Sequence, residues 1–509
     1  MVSICHCAGL RGIDGYPVAV ECSIASGLPR LDIVGLPGKA VSESAERIRS
    51  AAAYCSLAWP SARLTINLAP ADTRKEGAIY DLPILLAVLA AAGTIRPLPA
   101  DAAFFGELSL SGELRPVSGA LSMALAARDA GRRQVFLPAG NAAEAAFAEG
   151  IAVYPASHLQ QVVDHLAGRK ALAPCQPPPQ AAAAPGEGMD FEHVLGQSGV
   201  RRALEIAAAG GHNVLLCGVP GSGKSLSARC FPTIMPPMTS AERLEVIRVW
   251  SALGMGAEAA HMAGRPFRAP HHTISAAAMA GGGSAARLSP GEVSLAHRGV
   301  LFLDELPEFH TDVLEVLRQP MEDGFVSISR TAGKAVYPAR FQLLAAMNPC
   351  KCGWYGTNRC TCAPEAVRKY LRRLSGPLMD RIDLQVDVQP VRYEALAARG
   401  TVQEESSVSI RARVAAARQR QLDRYAGTDI SCNADLPVSR IAQDCPLSPD
   451  AEKMLESAFE RMGLTARAYD RILRVARTIA DLAGVDTIGS EQIAETIQYR
   501  QLDRLGISG

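Results

Sequence analysis

Eight residues near the middle of the chain, Gly218-Val-Pro220-Gly221-Ser222-Gly223-Lys224-Ser225, set glycines, a lysine and a hydroxyl at a spacing suited to phosphate. Glycines let a backbone curl until its N–H groups face a phosphate oxygen, and the helix that follows adds the positive end of its dipole. Lys224 supplies a cation for the β- and γ-phosphates, Ser225 an oxygen for Mg²⁺, and Leu226 carries the chain into the helix. A chance glycine-rich turn is the plainer reading, but the apolar run 214–217 directly before it argues against chance.

A second constellation lies downstream. Val300-Leu-Phe-Leu303 ends in two adjacent acids, Asp304 and Glu305. An Asp-Glu pair alone is usually a solvated strand end. Behind four buried-type residues it can hold Mg²⁺ through Asp304 and polarise an attacking water through Glu305. Phe341-Gln-Leu-Leu-Ala-Ala-Met347 is another apolar run ending in a polar residue, Asn348, which could orient that water. The order of the three is that of an ATP-hydrolysing site that uses Mg²⁺.

Just after Asn348 come Cys350-Lys-Cys352 and Cys360-Thr-Cys362. Four thiolates so close suit tetrahedral Zn²⁺, with Gly353 and Gly356 letting the loop wrap. The alternative is a loop of free thiols. Four sulfur ligands leave no open position, so such a metal would be structural.

These groups need a scaffold. The runs 213–217, 299–303 and 341–345 are short and apolar, each leads into loop chemistry, and helical stretches separate them, the pattern of a parallel sheet covered by helices. Beyond residue 401 the chain is helical, with amphipathic stretches at 452–462 and 468–483. Residues 171–188 are Pro, Ala and Gly with hardly any large apolar side chain, so the segment 169–189 is expected to be a linker. Ahead of it, residues 1–168 mix strand-like runs (63–68, 135–137) with helix-like runs (41–53, 120–130), which predicts an α+β domain. The expected layout is therefore 1–168, the linker, an α/β core over 190–400 carrying the four-cysteine insertion at 350–362, and a helical lid over 401–509.

Composition narrows the setting. With 509 residues, 48% of them hydrophobic, several cores can form. A formal charge of +1 does not advertise a nucleic-acid partner, although a local basic surface would be invisible in that total. The amino terminus lacks a basic start and apolar core, and the apolar run 82–92, interrupted by Pro83, is too short to span a bilayer. The thirteen cysteines come without an export signal, so reduced thiols in a cytoplasmic protein are expected rather than disulfides.

Arg268-Ala-Pro-His-His-Thr273, Gly281-Gly-Gly283, Pro290-Gly-Glu-Val-Ser-Leu-Ala-His297 and Gly299-Val-Leu-Phe-Leu-Asp-Glu305 resemble the magnesium-chelatase-like AAA+ proteins, and the similarity covers nearly the whole chain. The resemblance implies a P-loop ATPase core with a helical lid. It also implies a homo-hexameric ring that uses ATP to move DNA branch points during natural transformation, with single-stranded, forked or branched DNA and recombination proteins as partners. Ser375-Gly-Pro-Leu-Met-Asp-Arg381 is similar to the segment with the arginine finger, and Thr465-Ala-Arg467 to the segment with the sensor-2 arginine, so Arg381 and Arg467 take those roles by resemblance. Both roles make physical sense, because charge developing on a γ-phosphoryl group needs a fixed guanidinium. Residues 325–338 resemble the hairpin that ring helicases point into their pore. Arg330 and Lys334 would then meet DNA phosphates, or else they are solvated surface cations. Asp190-Phe-Glu-His-Val-Leu-Gly-Gln197 resembles the segment folded against adenine, with no single side chain assigned.

The amino-terminal part, through Phe105-Gly-Glu-Leu-Ser-Leu-Ser-Gly112 and Leu114-Arg-Pro-Val-Ser-Gly119, resembles the peptidase domain of Lon (the S5-like fold). Ile84 and Leu121 stand where that family has its nucleophile and base, and neither can attack or ionise. Peptide hydrolysis by this route is excluded, which leaves two functions. The first is a DNA translocase of helicase type. The second is the motor of a metal-insertion complex of magnesium-chelatase type, for which a Lon-like domain and four cysteines have no evident use.

Overall fold

Alternation along the first strands sets the amino-terminal sheet. In Asp14–Ala25 the side chains of Val18, Val20 and Cys22 point inward, and in Arg63–Ala69 those of Leu64, Ile66 and Leu68 do the same. The computed structural model, which describes residues 2–179, 189–284, 287–330, 333–391, 393–397 and 404–500, places these strands in a seven-stranded mixed sheet. Its order is Arg30–Val34, Arg63–Ala69, Asp14–Ala25, Val2–Arg11, Ala102–Phe104, Gln134–Pro138 and Ala152–Ala156. Helix Asp81–Ala91 is almost wholly buried against it, which explains why its sequence is apolar all round.

The second sheet is parallel throughout, in the order Phe267–Arg268, Val300–Leu303, Gln342–Met347, Val214–Gly218 and Leu384–Val388. Every residue of the three middle strands of chemical interest is buried, as a sheet covered by helices on both faces requires. The carboxy-terminal helices include Ser407–Arg424, Pro449–Met462, Ala466–Ala483 and Ser490–Gln498. Ala466–Ala483 buries Ile472, Val475, Ala476, Ile479 and Ala480, the i, i+3, i+4, i+7, i+8 stripe of a packed helix. No helix among the described residues is long and apolar enough to cross a membrane. Residues 180–188 of the expected linker, and 401–403 and 501–509 of the expected lid, lie outside the described residues.

The two sheets share more than a chain connection. Helix Ser240–Ser251, which lies in sequence after the phosphate-loop helix, sends Val246, Ile247, Val249 and Trp250 into the core of the amino-terminal sheet. A capping box between Thr239 and Glu242 starts that helix. Gly119 N–H donates to Ser251 O at 2.7 Å, Arg248 pairs with Asp14 at 2.7 Å, and the Arg243 guanidinium lies 4.9 Å from the Phe147 ring centre. In return Ile13, at the tip of the first hairpin, is buried in the core built around the parallel sheet. Trp250→Ala is therefore expected to cost about 3–5 kcal/mol at this junction. Cleavage within 169–189 should then let the amino-terminal fragment elute separately from the rest on gel filtration. In the parent the two fragments should co-elute.

Candidate active site

The phosphate loop leaves the carboxyl end of buried strand Val214–Gly218, and helix Lys224–Cys230 begins directly after it. Gly221 and Gly223 take φ of 77° and 91°, the left-handed backbone that lets the loop fold under a phosphate. Lys224 is buried; its Nζ donates to Gly218 O at 2.7 Å, Val219 O at 2.9 Å and Asn348 Oδ1 at 3.2 Å. Burial lowers its pKa. Ser222 lies buried in the loop, while Leu226 is partly exposed on the following helix. Gln197 Nε2 donates to Ser222 O at 3.1 Å and to Gln389 O at 2.7 Å, so one side chain of the segment before helix Ser198–Gly210 ties the loop in place.

Ser225 Oγ donates to Asp304 Oδ2 at 2.7 Å. Two hard oxygens converging beside a phosphate loop fit hydrated Mg²⁺. Asp304 Oδ1 accepts the Glu305 N–H at 2.9 Å, and Glu305 itself sits at φ 54°. That conformation is uncommon for a residue with a side chain, and among the described residues Leu36, Ser56 and Arg298 share it. The Glu305 carboxylate stays open to solvent, with Oε2 3.6 Å from His272 Nδ1, and the His271 and His272 rings lie 4.1 Å apart. Lys224, Ser225, Asp304, Glu305 and Asn348 thus meet at the carboxyl ends of three neighbouring parallel strands, the expected place for a ligand in such a sheet. Gln197 and His272 were missed by motif spacing. His272 lay inside Arg268-Ala-Pro-His-His-Thr273, whose residue types signalled no role until the fold set them beside Glu305.

Arg381 and Arg467 are elsewhere. Asn213, which opens the phosphate-loop strand, donates from Nδ2 to Arg381 O at 2.9 Å, so Arg381 sits at the amino ends of the strands. The length of Val214–Gly218 separates it from the loop, about 15 Å. The Arg381 guanidinium donates to Pro377 O at 2.6 Å and pairs with Glu322. Arg467 starts helix Ala466–Ala483, and its charge joins that of Arg381 in lowering the Glu322 carboxyl pKa. One turn on, Arg471 faces Asp383 at 3.9 Å. Both arginines lie together, at the opposite end of the sheet from their own chain's phosphate loop.

Comparison with known proteins agrees with this architecture. The family described as magnesium chelatase, subunit ChlI, matches residues 190–396, its carboxy-terminal counterpart matches 404–500, and the family described as subunit ChlI of Mg-chelatase matches 20–141. The protein YifB of Escherichia coli (strain K12) is 42% identical over 99% of this chain and 98% of its own length. Competence protein ComM of Haemophilus influenzae is 40% identical over 99% of this chain and 98% of its own. The chain belongs to the magnesium-chelatase-like AAA+ family of the ComM and YifB type. Lon protease of Chloroflexus aurantiacus is also similar, 32% identical over 25% of this chain and 16% of its own length. In this member of the AAA+ family Ile84 and Leu121, the residues set by resemblance against the Lon nucleophile and base, are sealed in the core. Nearby Asp81 is buried and pushed up to about 6 while paired with Arg47 at 2.8 Å.

Two further features surround the AAA+ site. The sulfurs of Cys350, Cys352, Cys360 and Cys362 all lie within 4.8 Å of one another, with Cys350 to Cys352 at 3.3 Å and Cys352 to Cys360 at 3.7 Å. Tetrahedral zinc thiolate, with bonds of about 2.3 Å, needs sulfur separations just under about 4 Å, so the set fits the metal. On the other side, Phe325–Arg330 pairs with Gly333–Pro338 as the expected hairpin, and Lys334 is exposed on it. Residues 331 and 332, and the Arg330 side chain, lie outside the described residues. A second hairpin, Gly281–Ser284 with Arg287–Pro290, packs beside the first, close enough that a Cβ on Gly281 would meet Ile328 at 2.6 Å.

Proposed function

We propose that the chain is an ATP-driven DNA translocase that works as a homo-hexameric ring and moves branched DNA during recombination of incoming DNA. The observation that carries the motor reading is the separation of Arg381 and Arg467 from their own phosphate loop. A site missing its guanidinium, and a guanidinium missing its site, complete each other when subunits pack head to tail, and head-to-tail contacts that close make a ring. In that arrangement Lys224 binds the β- and γ-phosphates. Ser225 and Asp304 hold Mg²⁺, which supplies charge neutralisation for the phosphates. Glu305 takes the proton of the attacking water, Asn348 orients that water, and the neighbour's guanidinium groups steady the developing γ-phosphoryl charge. The DNA part rests on full-length similarity to a protein named for competence, together with the two adjoining hairpins. The four cysteines hold one structural Zn²⁺ per chain.

The descriptions of the matching families favour the second reading, a motor for metal insertion into a porphyrin. ATP turnover separates the two. With forked or four-way DNA added at low salt, the rate is expected to rise several-fold and to fall back as salt displaces the protein from phosphate. An ATPase indifferent to DNA would sink the translocase and leave the metal-insertion motor.

A further inference from the structure

The four-cysteine loop touches the phosphate loop. Gly353, one residue beyond Cys352, has φ 86°, and a Cβ placed on it would stand 2.6 Å and 2.7 Å from the Pro220 ring carbons. The same Cβ would be 4.0 Å from Asn348 Cγ. Pro220 lies between Val219, whose carbonyl accepts from Lys224, and the left-handed Gly221. Lys224 in turn donates to Asn348, two residues before Cys350. The cysteine segment is therefore a wall of the nucleotide site, pressed on the outer bend of the phosphate loop.

We infer that a thiophilic divalent cation, Zn²⁺, bound by Cys350, Cys352, Cys360 and Cys362 sets the affinity of the site for ATP by holding Gly353 against Pro220. This rests on the readings of the four sulfurs as a metal site and of the Lys224 loop as the nucleotide site. The metal ties residues 350 and 352 to 360 and 362, which closes the stretch between them into a short ring of chain. Within it Gly353 N–H donates to Cys350 O at 2.9 Å, and Arg359 lies 4.9 Å from the Trp354 ring centre. Without the metal, Cys350 stays anchored by its burial in the core, while Cys352, Cys360 and Cys362, only partly buried against that core, lose their tie to it, and the press on Pro220 relaxes. A phosphate loop free to open must then be ordered by the nucleotide itself, which weakens binding.

The test uses the full chain purified without chelator, with zinc measured by elemental analysis and affinity by titration with a fluorescent ATP analogue. The parent should carry one zinc per chain. Cys352→Ser should lose the metal and bind the analogue at least about tenfold more weakly. Gly353→Ala should keep its zinc and weaken binding to a similar degree, because its Cβ meets the Pro220 ring in addition to the backbone strain of alanine at φ 86°. Gly356→Ala is the control for loop strain: its φ is 85°, yet a Cβ there meets nothing within 4 Å, so zinc and affinity should match the parent. Parent-like affinity in Gly353→Ala overturns the inference. So does equal weakening in Gly356→Ala, which would make the effect one of loop strain. A parent without zinc overturns metal control and the metal reading together, while parent-like analogue binding by Lys224→Ala would bring down the nucleotide site instead.

Discussion

Glu305→Gln is expected to bind ATP as tightly as the parent and to hydrolyse it on the order of 10²–10⁴ times more slowly, the usual contribution of a positioned base. Asp304, already occupied by the Ser225 hydroxyl and the Glu305 N–H, keeps the metal-binding oxygens where they are. Only the group that accepts the water's proton is lost, and glutamine preserves its shape. Lys224→Ala should fail earlier. The Lys224 ammonium is held by two loop carbonyls and Asn348, and on the proposed reading it would turn from them to the phosphate oxygens of ATP. Its removal takes away the one cation the loop itself offers the β- and γ-phosphates, so binding and turnover should go together. Nucleotide titration and phosphate release, measured side by side, separate the two variants. A Glu305→Gln protein that turned over at the parental rate would remove Glu305 from the role of base.

How much of this was legible in residue order depended on how local the chemistry is. The phosphate loop, the Asp304-Glu305 pair and Asn348 each sit at the end of an apolar strand, so spacing alone pointed to them. Convergence of the four sulfurs was likewise foreshadowed by thirteen residues of sequence, though their contact with Pro220 was not. The hairpin Gly281–Ser284 with Arg287–Pro290 escaped because three of its first four residues are glycines, and a strand without side chains carries no period-two signal. Helix Ser240–Ser251 escaped for a different reason. It buries Val246 and Trp250 in a core belonging to residues far upstream, a partnership no local pattern records. Arg381 and Arg467 were found by resemblance, but residue order does not say at which end of the sheet the fold places them.

That position fixes the largest effect expected between subunits. Arg381→Ala and Arg467→Ala should each cost on the order of 10³-fold in turnover, the scale of a guanidinium that meets transition-state charge, while sparing ATP binding to the same subunit. Lying beside Glu322 at the amino ends of the strands, neither side chain can span the length of Val214–Gly218 to reach its own Lys224 loop. On the ring reading proposed above, each would serve the next subunit. When Arg381→Ala and Lys224→Ala chains are mixed in equal amounts, about a quarter of the head-to-tail interfaces in a random ring join an intact site to an intact arginine. Turnover should recover toward that fraction of the parental rate although both components are inactive alone. The same recovery is expected for Arg467→Ala mixed with Lys224→Ala. Recovery with Arg381→Ala but none with Arg467→Ala would mean that the lid swings to carry Arg467 back over its own nucleotide. No recovery with either, in rings shown by mass to contain both chains, would mean that hydrolysis does not draw on a neighbour's arginine at all.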